Sequence, residues 1–118
     1  MALTIFHNPR CSKSRKTLQL ITNAGIEPRV VLYLNKAPSA PEILDIAEKL
    51  GSTVADLLRR GEAEFREATD LPDLDKAEAL ADWLASHPAV LQRPIVIDDE
   101  RGKAVLGRPP ENVLELLR

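Results

Sequence analysis

The feature that most constrains the fold lies in the first third of the chain. Ala2-Leu3-Thr4-Ile5-Phe6 is short, apolar and partly β-branched, and it stops at Asn8-Pro9, as a buried strand ending in a turn would. From Cys11 the pattern is helical: Leu18, Ile21 and Ala24 recur at three-residue spacing, and Gly25 follows as the expected stop. Arg29 to Leu34 then favours extended structure through Val30, Val31 and Leu32. A strand, a crossover of helix length and a second strand predict a parallel pair joined by a right-handed connection.

The middle of the chain reads as helical. Ser39 with Glu42 makes a capping box, Pro41 sits in the first turn, and Ile43, Ile46, Ala47 and Leu50 form an apolar stripe before Gly51. Thr53 to Arg60 reads as a shorter helix with Leu57 and Leu58 inward and Gly61 as its stop. Asp70-Leu71-Pro72-Asp73 is a loop. Asp75 with Glu78 caps a further helix bearing Leu80, Trp83 and Leu84 and ending near His87-Pro88. Beyond Arg93-Pro94 the period shortens. Ile95-Val96-Ile97 and Lys103-Ala104-Val105-Leu106 flank a turn at Asp99–Gly102, as in an antiparallel hairpin. Pro109-Pro110-Glu111 opens a last amphipathic helix with Val113, Leu114 and Leu117 on its apolar side. The expected order is β-α-β, a helical insertion at about 39–88, then β-β-α, in an α/β chain that forms one domain over residues 1–118.

Composition excludes several classes. The net charge of -2 argues against nucleic-acid binding. One cysteine excludes an intramolecular disulfide and fits a reducing compartment. The N-terminus shows no signal-peptide pattern, and no apolar run approaches the ~20 residues that cross a bilayer. The expectation is a small cytoplasmic domain with no nucleic-acid or membrane partner.

The single cysteine sits in His7-Asn8-Pro9-Arg10-Cys11-Ser12-Lys13-Ser14-Arg15-Lys16, with four basic residues and no acid around it. Following a strand and a turn, Cys11 meets the first turn of a helix, whose N–H groups lack intrahelical acceptors. The dipole and the nearby Arg10, Lys13 and Arg15 favour the thiolate, and the same donors make an anion site. Free thiols titrate near ~8.5 and such surroundings commonly lower them. Ser14 stands where a C-x-x-C motif has its second cysteine, and its hydroxyl is a candidate donor to the thiolate. A buried, inert cysteine is the competing reading. A phosphatase-type Cys-x5-Arg loop is excluded because residue 17 is Thr17. One Cys and two His at these spacings do not make a metal site. His7 serves either the thiolate or the turn, and His87 reads as a helix-terminus residue.

A tetrahedral oxyanion asks for guanidinium groups, which bind it bidentately. Arg93 stands before Pro94 at the entrance of the third strand, and Arg108 follows the hairpin before Pro109. Arg59, in the last turn of a short helix, has a charge that the dipole alone would justify.

The stretches "TIFHNPRCSKSRKTL", "DLLRR", "RPIVI" and "GRPPENVLELL" resemble the glutaredoxin-dependent arsenate reductase family, and within it a short, YfgD-like branch; the resemblance spans essentially the whole chain. It implies a thioredoxin-like fold, with a mixed four-stranded sheet and a helical insertion. It implies reduction of arsenate to arsenite through a covalent adduct on Cys11, with no bound cofactor and with glutathione as thiol co-substrate. Glutaredoxin would then reduce the mixed disulfide. Arg59, Arg93 and Arg108 match the family's oxyanion-binding arginines, and Pro94 matches the cis-proline facing the active cysteine. Two departures bear on the substrate: Cys-Ser-Lys-Ser replaces the Cys-Gly-Thr-Ser of better-known members, and no C-terminal extension follows the last helix. The alternatives are an Spx-like regulatory binding module, whose usual Cys-x-x-Cys switch Ser14 breaks, or a thiol oxidoreductase with another substrate.

Overall fold

The computed structural model describes residues 1–117. Its contacts divide the chain into two compact units: Met1–Tyr33 with the segment from Arg93 onward, and Leu34–Gln92. The second unit is wider than the 39–88 stretch read as an insertion.

The first unit is built on a four-stranded sheet. β1 (Leu3–Phe6) leads into α1 (Ser12–Asn23) and β2 (Arg29–Val31); β3 (Ile95–Asp98) and β4 (Lys103–Leu106) form the hairpin. The strand order is β2-β1-β3-β4, with β1 parallel to β2 and antiparallel to β3, and β3 antiparallel to β4. This mixed α/β arrangement is the thioredoxin-like fold. All residues of β1 and β3 are buried, as central strands require. Leu3, Ile5 and Val96 of the sheet meet Ile21 of α1 and Val113 and Leu116 of the C-terminal turn in one apolar cluster.

Three expectations for this unit are corrected. β2 stops at Val31 rather than Leu34, because its partner β1 ends at Phe6, the residue paired with Val31. Val30 of this edge strand is exposed, as are Leu32 and Leu34 beyond its end. The inward face of α1 is Ser14, Thr17 and Ile21, while Ala24 is exposed; Gly25 takes φ 81°, the left-handed angle that ends a helix. The last segment, Pro110–Glu115, is a 3-10 helix. Its three-residue turn buries Val113 and Leu116 and leaves Leu114 outside.

In the second unit, α2 (Ala40–Leu50) has the full capping box. The Ser39 hydroxyl accepts from the Glu42 N–H, and the Glu42 carboxylate accepts from the Ser39 N–H at 3.1 Å; Gly51 closes the helix in the left-handed region. A short α3 (Ala63–Arg66), which no sequence signal marked, and α4 (Ala77–Ala85) follow. α4 is capped by Lys76, not Asp75: the Lys76 N–H donates to the Asp73 carbonyl, which locks Asp75 inside a turn. The expected Thr53–Arg60 helix is only a 3-10 turn at Val54–Leu57, because Leu58 leaves it to pair with Leu91. Ile43, Ile46, Val54, Leu57, Leu80, Leu84 and Val90 are buried here. Among the described residues no helix is long and apolar enough to cross a membrane.

Candidate active site

Cys11 is the N-cap of α1, with extended backbone angles (φ -92°, ψ 120°). The turn before it is closed by its own N–H donating to the Asn8 carbonyl at 2.9 Å, and by the Arg10 N–H donating to Asn8 Oδ1 at 3.0 Å. That turn brings the half-buried sulfur over the open end of the helix. Burial taken alone, the largest single influence, would raise the thiol's pKa. The N–H groups of Ser14 and Lys13 and the charges of Arg93 and Arg108 together outweigh it, and the pKa lies below that of a free thiol.

Arg93 and Arg108 therefore do meet the cysteine. Arg108 Nη1 lies 3.9 Å from Sγ and donates to the Arg93 carbonyl at 3.1 Å. Both peptide bonds that follow these arginines, Arg93-Pro94 and Arg108-Pro109, are cis. The charges near in sequence act differently from expectation. The cations that stabilise the thiolate come from the hairpin side, while Arg15 donates to the Pro9 carbonyl at 2.9 Å and depresses the pKa of His7.

Ser14 is also reassigned. Its hydroxyl is fully buried, accepts from the Asn8 N–H at 3.1 Å and shares a 2.6 Å hydrogen bond with His7 Nδ1. It is the backbone N–H of Ser14, not the hydroxyl, that supports the sulfur. His7 is buried, and its pKa lies below the usual imidazole value, first through desolvation and then through the Arg15 charge. The neutral ring and Ser14 thus tie the end of β1 to α1 behind the thiolate.

Two site residues carry no sequence signal. Asn112 Nδ2 donates to the carbonyls of Leu106 (3.1 Å) and Arg108 (3.2 Å), holding the segment that presents Arg108. Gly107 is packed so closely that a Cβ there would lie 2.6 Å from Thr17 Oγ1 and 2.7 Å from Pro94 Cγ.

Arg59 belongs to the second unit and sits after the 3-10 turn, not in a helix. Its N–H donates to the Val90 carbonyl and its Nε lies 3.5 Å from Glu62, while Nη1 is shielded from solvent without a hydrogen-bond partner. His87, also in that unit, stacks on Trp83 at a ring separation of 4.0 Å and bonds the Trp83 carbonyl through Nδ1. Among the described residues no group of three His, Cys, Asp or Glu is placed to hold a metal ion.

A lone thiolate at a helix start, faced by two arginines on Arg-Pro elements, is a specific constellation, and residues 6–116 match the model of the ArsC family. The chain belongs to the ArsC family. It is 44% identical over 118 residues to an arsenate reductase of Haemophilus influenzae, covering 99% of this chain and 100% of that protein. It is 43% identical to the YfgD protein of Escherichia coli K12, itself described as uncharacterized, over 96% of this chain and 94% of that one. The solved structure of an arsenate reductase from Vibrio cholerae aligns with a TM-score of 0.85 at 42% identity, over 98% of this chain and 97% of the other.

For this ArsC-family chain the state of the thiol is directly measurable. The rate of Cys11 alkylation should rise with pH and level off once the thiolate forms, with a midpoint below the ~8.5 of a free thiol. Arg108→Ala should move that midpoint upward. A wild-type midpoint at or above the free value would remove the case for an activated thiolate.

Proposed function

We propose that this protein reduces arsenate to arsenite with electrons from glutathione and glutaredoxin. The observation that carries the reading is the Cys11 sulfur held at the start of α1 by two N–H groups, with the charges of Arg93 and Arg108 acting on it. A nucleophile and an oxyanion-binding pair then share one spot.

Arsenate is held by Arg93 and Arg108, and Arg59 is assigned the same role on the family resemblance. The Cys11 thiolate attacks arsenic, an oxygen leaves as water after protonation, and an S–As bond forms. Glutathione thiolate attacks the Cys11 sulfur. The S–As pair remains on arsenic, which departs as arsenite, two electrons richer, and a Cys11–glutathione disulfide forms. Glutaredoxin removes the glutathione by thiol–disulfide exchange and regenerates the Cys11 thiolate. The chain needs one cysteine because the other thiols come from outside.

The test couples arsenate, glutathione, glutaredoxin, glutathione reductase and NADPH with the purified protein. Arsenate-dependent NADPH oxidation well above the protein-free rate is expected; a rate equal to that background overturns the reading.

A further inference from the structure

Arg108 is held from several sides. The N–H of Gly107, the residue before it, donates to the Pro94 carbonyl at 2.9 Å, and its guanidinium donates to the Arg93 carbonyl at 3.1 Å. Asn112 completes the hold: its Nδ2 donates to the carbonyls on either side of Gly107, those of Leu106 at 3.1 Å and of Arg108 at 3.2 Å. The donor end of the amide is thus spent on one short segment, and the amide cannot turn over, because its oxygen has no proton to give. Asn112 is fixed in its turn. Its own N–H donates to the Pro109 carbonyl at 3.0 Å, and its neighbour Val113 is fully buried in the cluster with Leu3, Ile5, Ile21 and Val96. From this anchored side chain the contacts run on to the reacting atom, since Arg108 Nη1 lies 3.9 Å from Cys11 Sγ.

We infer that Asn112 is a positioning residue of the oxyanion site: by bridging the Leu106 and Arg108 carbonyls it sets where the Arg108 guanidinium meets the Cys11 sulfur and an anion beside it. The inference rests on the arsenate reading proposed above. Without the amide the two carbonyls lose their shared donor, and the segment between β4 and Pro109 is free to turn, carrying the root of the Arg108 side chain with it. Support of the thiolate and grip on the anion then weaken together, because one guanidinium serves both. Glu111 is the contrasting neighbour: it makes an exposed 3.8 Å ion pair with Lys16 and does not touch Arg108.

The test compares N112A and N112L with E111Q and the wild type; leucine keeps the volume of asparagine without its donors, so one variant stays informative if the other folds poorly. In N112A and N112L the midpoint of Cys11 alkylation should rise by about half a pH unit, roughly a threefold loss of thiolate below both midpoints. E111Q should keep the wild-type midpoint. On an R108A background, N112A should add no further shift, which separates an effect through Arg108 from a general loosening of the fold. At a pH above all the midpoints, where every protein carries the thiolate, N112A should still need about two- to tenfold more arsenate for half its maximal rate, the range expected for one weakened hydrogen-bonding group. A wild-type midpoint in both Asn112 variants, an equal shift with and without Arg108, or an unchanged arsenate requirement each overturns the assignment. The alkylation arm uses no arsenate, so it decides on Asn112 even if the wild type turns out not to reduce arsenate.

Discussion

Cys11→Ser should bring arsenate-dependent NADPH oxidation down to the protein-free rate, a loss of about 10³-fold or more, typical of removing a covalent nucleophile. The serine hydroxyl keeps the size and the helix-cap position, and serine is a favoured N-cap, so folding is expected to be intact. What it lacks is acidity. The Ser14 and Lys13 N–H groups and the two guanidinium groups that ionise a thiol cannot ionise an alcohol at neutral pH. A covalent Cys11–glutathione species should likewise be absent from the variant and trappable by mass in the wild type. If the variant retains the wild-type rate, Cys11 is not the nucleophile and only a binding role for this thiol survives.

Gly107→Ala is the second large effect. The backbone angle of Gly107 does not demand glycine, since it is not among the glycines with positive φ; space does. A Cβ would lie 2.6 Å from Thr17 Oγ1, 2.7 Å from Pro94 Cγ and 3.1 Å from Thr17 Cγ2, and both neighbours are buried. Thr17 is itself held by its hydroxyl donating to the Lys13 carbonyl at 2.8 Å, so it cannot simply swing aside. Overpacking of this kind costs about 1–3 kcal/mol, which for a chain of this size lowers the melting temperature by roughly 5–15 °C. The segment that must shift leads directly to Arg108, so the alkylation midpoint of Cys11 should rise toward the free-thiol value as well. Adding Thr17→Ala removes two of the three close contacts and should restore part of both properties. A Gly107→Ala protein with wild-type melting and a wild-type alkylation profile would sink the packing argument.

What was legible beforehand was local. The Ser39–Glu42 capping box spans four residues, and the turn at Asp99–Gly102 joins adjacent strands; both are written in neighbouring residues. The same holds for a cysteine placed after a strand and turn. Where a partner far along the chain decides, the reading failed. Leu58 pairs with Leu91 instead of continuing a helix, and β2 ends where β1 runs out. The site divides along the same line. The N–H support of the thiolate follows from helix geometry at one position. That Arg93 and Arg108, rather than Arg10, Lys13 and Arg15, supply the charge felt by the sulfur depends on β3 pairing with β1 and β4 with β3. The need for glycine at 107 depends on a helix ninety positions away in sequence.

The clamp on Arg108 has a thermodynamic consequence. Asn112 fixes the backbone of that residue and the Arg93 carbonyl fixes its guanidinium, so the side chain is immobilised before any ligand arrives. Freezing a long side chain on association typically costs about 0.5–1.5 kcal/mol. Here that loss of rotamer freedom falls on folding instead. An anion that meets Arg108 already in place gains about fivefold in affinity for each ~1 kcal/mol of ordering avoided. The chain thus trades a little of its own conformational entropy for a guanidinium whose place is set by folding.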